Sequence, residues 1–240
     1  MATIKNAIIL AAGRGSRMRE LTNDMPKCMM QVGSKRVIQN TIDILKYKNI
    51  KNIVIVTGYQ SGILESYLRS LYDDLIFIEN KEWESTNSMA SMRLASKYLK
   101  NAIVIDSDIY VNNVDAIKTD IDCSGYSAII DDRPNEWQLI AEKSNSIIGV
   151  EKSGSFHNGL PIIDISYWLE KDAEKIAKRI NMCTFLNIEN FDDKYWDEIP
   201  LLDFFYAFNL KRYDLKVEDA MEFDTPEDLE KVRKIACLAD

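Results

Sequence analysis

The stretch Ala7-Ile8-Ile9-Leu10-Ala11-Ala12-Gly13-Arg14-Gly15-Ser16-Arg17-Met18, carried on to Pro26-Lys27, decides how this chain folds. The apolar run Ala7-Ile8-Ile9-Leu10 reads as a strand buried on both faces, as in a parallel sheet. It runs into a loop with two glycines. Glycine has no side chain and tolerates positive φ, so backbone there can pass close to a ligand. The amides around Gly13, Gly15 and Ser16 can cradle phosphates, and Arg14, Arg17 and Lys27 put positive charge where a triphosphate would lie. Two other nucleotide loops are excluded. A dinucleotide-binding G-x-G-x-x-G would need glycine where Met18 stands, and G-x-x-x-x-G-K-[ST] is absent.

On the C-terminal side of this string, apolar runs alternate with amphipathic stretches, the pattern of a parallel-sheet α/β fold. Strands are expected near 6–11, at Ile53–Val56, Leu75–Ile78 and Ala102–Ile105, with helices near 36–48, 61–72 and 87–99 between them. Beyond residue 120 the chain is richer in strands: Tyr126–Ile130, Gln138–Ile140, Ile147–Val150 and Asp214–Val217. Helices are expected over 165–180, 198–210 and 226–238. The last opens on Thr225-Pro226-Glu227-Asp228, with threonine as N-cap, proline at the first helical position and acids in the first turn.

The 240 residues fit one α/β domain: about 1–120 as a nucleotide-binding core, about 121–225 as an acceptor-binding part, and 226–240 as a C-terminal helix. With 46% hydrophobic and 28% charged residues, the chain can bury a full core. No apolar stretch approaches the ~18 residues of a membrane span, and the short lead Met1–Asn6 leaves no room for a signal peptide. A cytoplasmic protein without a membrane partner is expected. The net charge of −8 argues against nonspecific nucleic-acid binding. Cys28, Cys123, Cys183 and Cys237 are scattered, without the spacing of a zinc site or a disulfide framework, and Cys28 beside Lys27 reads as a packing residue. His157 is the single histidine, too few for a histidine-based triad or metal centre, and reads as a loop residue.

The run Ala102–Ile105 delivers Asp106-Ser107-Asp108 to the C-terminal end of a strand, where ligands bind in open α/β sheets. Transfer of a nucleotidyl group joins two anions, so its site needs charge neutralisation, commonly Mg²⁺ on carboxylates. Asp108 and Asp224 are the candidates, although the first can also cap a turn and the second a helix entry. Two further segments, Asp131-Asp132-Arg133-Pro134-Asn135-Glu136-Trp137 and Asp192-Asp193-Lys194-Tyr195-Trp196-Asp197, set aromatics among acids. Aromatic faces beside carboxylates bind quaternary ammonium groups, while tryptophans also serve as core residues.

The N-terminal string, Asn87 before a helix, Val104-Ile105-Asp106-Ser107-Asp108, Asn135-Glu136-Trp137, Tyr195-Trp196-Asp197 and Glu222-Phe223-Asp224 occur in that order across nearly the whole chain. This order resembles the bacterial CTP:phosphocholine cytidylyltransferases, within the sugar-phosphate nucleotidyltransferase superfamily. The resemblance implies a Rossmann-like mixed, mostly parallel sheet flanked by helices, of the nucleotide-diphospho-sugar transferase type, with a small acceptor-binding subdomain. It implies CTP and phosphocholine as substrates and Mg²⁺ as cofactor, held by Asp108 and Asp224 with help from Glu222. Leu10, Ala11, Ala12, Gly13, Arg14, Gly15, Ser16 and Asp106 would bind nucleotide, with the base near Gly58, Tyr59, Asn87 and Ser88. Arg17 and Lys27 would contact phosphate, and Lys152 would match a second lysine that reaches the acceptor phosphate or else be a solvated turn residue. Trp137, Tyr195 and Trp196 would enclose the trimethylammonium, with Asp131 and Asp197 as acidic partners, whereas Trp83 matches nothing specific and reads as packing.

The chain departs from the pattern at Thr86-Asn87-Ser88, where an Asn-Asn pair is common, and over residues 153–162. Other acceptors therefore stay open at this point: another phospho-amine, 2-aminoethylphosphonate, or a sugar 1-phosphate. A catalytically silent nucleotide-sensing module is the reading from outside the enzymes; it predicts loss of the metal or phosphate residues, and Arg17, Lys27, Asp108 and Asp224 are all present.

Overall fold

Four short runs of aliphatic residues build the parallel half of the sheet: β1 (Asn6–Ala11), β2 (Asn52–Thr57), β3 (Ile76–Glu79) and β4 (Ala102–Asp106). They appear in a computed structural model that describes residues 1–130, 136–152 and 159–236. Their order is β3-β2-β1-β4, all parallel. Each run is apolar on both faces because helices cover both. In β1, Ala7 and Ile9 face the core under α1 (Val37–Tyr47) and α2 (Ser61–Arg69), while Ile8 and Leu10 face the core under α3 (Ser88–Ala95). The chain runs from β1 through α1 to β2 on one side, then through α3 to β4 on the other. The crevice between β1 and β4 is thus the switch point at which such sheets bind ligands.

A hairpin arm Ile109–Val111 (β5) leaves β4, and the remaining strands extend the same sheet. They are β6 (Gly125–Ile129), β7 (Gln138–Ala141), β8 (Ile147–Glu151), β9 (Leu160–Trp168) and β10 (Lys211–Leu215). The nine-stranded sheet therefore continues past β4 through an antiparallel β9, which pairs in turn with β7 and β6. Two segments differ from the sequence-based expectation. Residues 165–168 end β9 rather than starting a helix, and α4 spans Glu170–Phe185. The cause is a period of two: Ile163, Ile165 and Tyr167 point into one core and Ile162 and Trp168 into the other, with Asp164 and Ser166 between them. Over 198–210 the expected regular helix is replaced by a wide turn at Ile199–Asp203 and a tight one at Phe205–Ala207.

The chain closes with β11 (Ala220–Glu222), paired to β5, and α5 (Pro226–Ala236). The expected cap is present: the Asp228 amide donates to Thr225 Oγ1 at 3.2 Å while the Thr225 amide donates back to Asp228 Oδ2 at 3.2 Å. Leu229, Val232 and Ala236 of α5 bury against Met18, Met30, Val32 and Phe223, which pins Asp224 beside the loop after β1. Among the described residues no helix is long and apolar enough to cross a membrane.

The second core centres on Trp168, fully buried with its ring 5.6 Å from Tyr126, 5.6 Å from Trp196 and 6.1 Å from Phe208. Trp168→Ala should lose about 3–5 kcal/mol of stability, read as a lower urea midpoint at unchanged slope.

Candidate active site

Gly15 sits at φ +66°, and a Cβ there would lie 2.8 Å from Lys27 Cδ. No other residue fits both the left-handed backbone and the lysine stem behind it. A Cβ on Gly13 would meet nothing within 4 Å, so that turn of the loop is open to a ligand. The loop forms one wall of a cleft of about 400 Å³ through Leu10, Ala12, Gly13, Gly15, Ser16, Arg17 and Lys27. The rest of the lining includes Asn87, Ser88, Asp106 and Asp108, with Asp224 against Arg17 and Lys27 of the loop, and Tyr195.

Lys27 is the hub of the charged end. Its Nζ donates to Asp108 Oδ2 at 2.8 Å and to Asp224 Oδ1 at 2.6 Å, and Arg17 Nη1 meets Asp224 Oδ2 at 2.6 Å. Burial alone would pull the Lys27 ammonium down, but the two carboxylates outweigh it and hold it above the ordinary lysine value. Asp108, Glu222 and Asp224 each offer a carboxylate oxygen, all within 4.8 Å of one another. Asp106 Oδ1 and Asp108 Oδ1 are buried without a hydrogen-bond partner among the described residues. Burial, with Asp164 and Asp108 nearby, raises Asp106 well above the usual carboxylate range, and burial beside Asp108 does the same to Glu222. Cys28, next to Lys27, is buried, and burial pushes its thiol up to about 12. It is a packing residue, as expected.

Several expected nucleotide residues lie elsewhere. Ala11 points into the core beneath the loop, and Arg14 lies over the Tyr59 ring at 5.5 Å. Gly58 and Tyr59 stand behind the loop rather than in the cleft wall. The Tyr59 amide donates to Ala12 O at 2.9 Å, and its hydroxyl to Thr22 O at 2.6 Å and Asn23 O at 2.8 Å. A Cβ on Gly58 would sit 2.7 Å from Ala12 O, so this position braces the loop. The wall instead gains Asn80, Trp83, Thr86, Ser91 and Ser107. Trp83 packs edge-on against Tyr59 at 5.2 Å and also lines the cleft, so packing is only half of its role. Asn80 was legible in principle, because it directly follows β3 at the same end of the sheet as Asp106.

Tyr195 lines the cleft, and the Trp137 ring, outside that lining, meets it edge to face at 6.2 Å. Lys152 Nζ lies over the Trp137 ring at 4.3 Å and 3.9 Å from Glu198 Oε2. Trp196 is a correction: it is buried in the core, stacked on Tyr126 at 6.3 Å, and does not line the cleft. Asp197 accepts a hydrogen bond of 2.8 Å from the Tyr126 hydroxyl, and burial pushes its carboxyl up to about 7 despite that bond. Asp164, absent from the sequence-based set, lies one step beyond the Ile165–Ile105 pair and so across from Asp106. Burial, then the Asp197 charge, raises its carboxyl well above the ordinary range. Asp131 lies outside the described residues.

The segment around Tyr195 is stitched to the start of α3. The Asn87 amide donates to Asp192 O at 2.8 Å, the Met89 amide to Lys194 O at 3.1 Å, and the Trp196 amide to Ser88 Oγ at 3.0 Å.

The family described as Nucleotidyl transferase matches residues 6–122. The choline-phosphate cytidylyltransferase of Haemophilus influenzae is 32% identical over 93% of this chain and 94% of its own. That of Streptococcus pneumoniae is 33% identical over 95% of this chain and 97% of its own. The chain belongs to the choline-phosphate cytidylyltransferase family. The cytidylyltransferase resemblance read from the motifs is therefore borne out, and so is the nucleotidyltransferase fold. Against the solved CTP:phosphocholine cytidylyltransferase of Streptococcus pneumoniae, this cytidylyltransferase superposes with a TM-score of 0.86 at 29% identity, covering 97% of this chain and 99% of that one.

The raised Asp197 carboxyl sets a pH dependence. An unfolded aspartate ionises near about 3.9, so between there and about 7 the native state keeps a proton that the unfolded state has released. Stability then falls as pH rises through that window. Asp197→Asn cannot ionise and keeps an acceptor for Tyr126. Its melting temperature should exceed that of the parent at pH 8, and the gap should close by pH 4. A gap independent of pH would remove Asp197 as the titrating group.

Proposed function

We propose that this cytidylyltransferase transfers the cytidylyl group of CTP to phosphocholine. The observation that carries the reading is one cleft lined by a phosphate-cradling loop, by Asp108 and Asp224, which cluster with Glu222, and by Tyr195, whose ring meets Trp137 edge to face. In the reaction, an oxygen of the acceptor phosphate forms a bond to the α-phosphorus and the bond from that phosphorus to the β-phosphate oxygen breaks. Pyrophosphate leaves with the electron pair. The acceptor is already ionised, so the chain needs no covalent nucleophile and works by positioning and charge.

In this assignment residues of about 1–120 hold the nucleotide and those of about 121–225 the acceptor. The amides of Gly13, Gly15 and Ser16 bind the triphosphate. Arg17 and Lys27 neutralise its charge from the open and the buried side of the loop. Asn87 and Ser88 face the base. Trp137 and Tyr195 pack on the trimethylammonium, with Asp131 as an acidic partner and Asp197 as another once it ionises above about pH 7, and Lys152 reaches the acceptor phosphate. The three carboxylates suit a hard divalent cation, since they converge within 4.8 Å and one oxygen of Asp108 is buried with no other partner among the described residues. Asp108, Asp224 and Glu222 would hold Mg²⁺, which supplies positive charge beside the α-phosphate.

The test is pyrophosphate release with CTP, Mg²⁺ and phosphocholine, run beside phosphoethanolamine, 2-aminoethylphosphonate and glucose 1-phosphate. Turnover should be fastest with phosphocholine and vanish on chelation. Faster turnover of an acceptor without methyl groups would discard the choline assignment. Asp108→Ala should lower turnover by about 10²–10³-fold or more while CTP still binds. Trp137→Ala should raise the KM for phosphocholine about tenfold with that for CTP unchanged; equal shifts in both would make the indole a packing residue.

A further inference from the structure

Trp137 and Lys152 stand at the mouth of the β7–β8 hairpin. The register pairs Gln138 with Glu151, so Trp137 and Lys152, one step further out, face each other across the two strands. Directly opposed residues share a face of the sheet with close Cβ atoms. The fold itself thus delivers the Lys152 ammonium to the indole, 4.3 Å from the ring centroid. The indole has Tyr195 edge-on beside it, and Glu198 Oε2 is 3.9 Å from the same ammonium. A cation over an indole, with a second ring and a carboxylate close by, is the set of contacts that recognises an alkylammonium ligand.

We propose that Lys152 is an internal occupant of the acceptor's cation site, so that the cleft takes up choline only when choline carries a phosphate. The inference rests on the phosphocholine assignment above and specifies how that site discriminates. An incoming trimethylammonium has to displace the lysine from the ring. Free choline offers the displaced ammonium nothing in return. Phosphocholine brings its own anion a few atoms from the quaternary nitrogen, and the released Lys152 can pair with it. The lysine thereby sets selectivity twice, by opposing the cation alone and by rewarding cation and phosphate together. An ordinary phosphate-binding lysine does only the second.

The two roles separate in a titration with choline, which has no phosphate. Binding is followed by calorimetry on the full chain with CTP and Mg²⁺ present, and phosphocholine by steady-state turnover. Lys152→Met should tighten choline about threefold to thirtyfold, the range of one cation–aromatic contact, and raise the KM for phosphocholine in the same variant. Lys152→Arg, which keeps a cation able to lie on the indole, should hold choline as weakly as the parent. Lys194→Met removes an equal charge one residue from Tyr195, from an ammonium paired with Asp203 at 2.6 Å. It should leave choline affinity unchanged. Choline binding that is the same in the parent and Lys152→Met would overturn the proposal, as would choline weakened along with phosphocholine, or tightened equally by Lys194→Met. Failure of the parent to turn over phosphocholine would instead strike the functional assignment on which the proposal rests.

Discussion

One buried ammonium holds the charged end of this molecule together. Lys27 bonds to Asp108, 81 residues away, and to Asp224, 197 residues away. It thereby ties the loop after β1 to the end of β4 and to the entry of α5. Without it, two carboxylates would face each other in a poorly solvated crevice, an arrangement whose cost rises as water is removed. The loop's shape follows from the same contact, because the lysine stem fills the space a side chain on Gly15 would need. The small third core under α5 holds Asp224 at that meeting point.

The corner formed by Trp137 and Tyr195 repeats the logic with weaker contacts. Lys152 rests on an aromatic face and near one carboxylate, and its side chain stays half exposed. In both places a lysine of the chain stands among groups suited to a foreign cation. The difference lies in burial: Lys27 is locked, whereas Lys152 can leave at little cost.

The parallel strands and the loop after β1 were legible because their signals are local. A run such as Ile53-Val54-Ile55-Val56 is apolar throughout whatever lies beside it, and Thr225 with Asp228 caps α5 within one turn. The strand β9 was not, since Asp164 and Ser166 interrupt its apolar face and only the cores on either side reveal the alternation. Trp196 differs for a related reason: its neighbours in sequence, Tyr195 and Asp197, face the cleft or a buried hydroxyl while its own ring belongs to the core with Trp168. Asn80 and Trp83 carry no motif; the ends of the parallel strands bring them to the cleft.

The stitching at the start of α3 bears on any attempt to redesign the acceptor. In the proposed assignment the segment Asp192–Trp196 carries Tyr195 toward the acceptor, and its carbonyls at Asp192 and Lys194 accept from the first free amides of α3, which that assignment gives to the nucleotide. A graft that exchanged this segment for one suited to a different alcohol phosphate would also strip or shift those partners. The helix start would then fray and disturb Asn87 and Ser88 on the cleft wall. Under that assignment a library meant to alter one specificity has to vary residues 86–89 and 191–197 together.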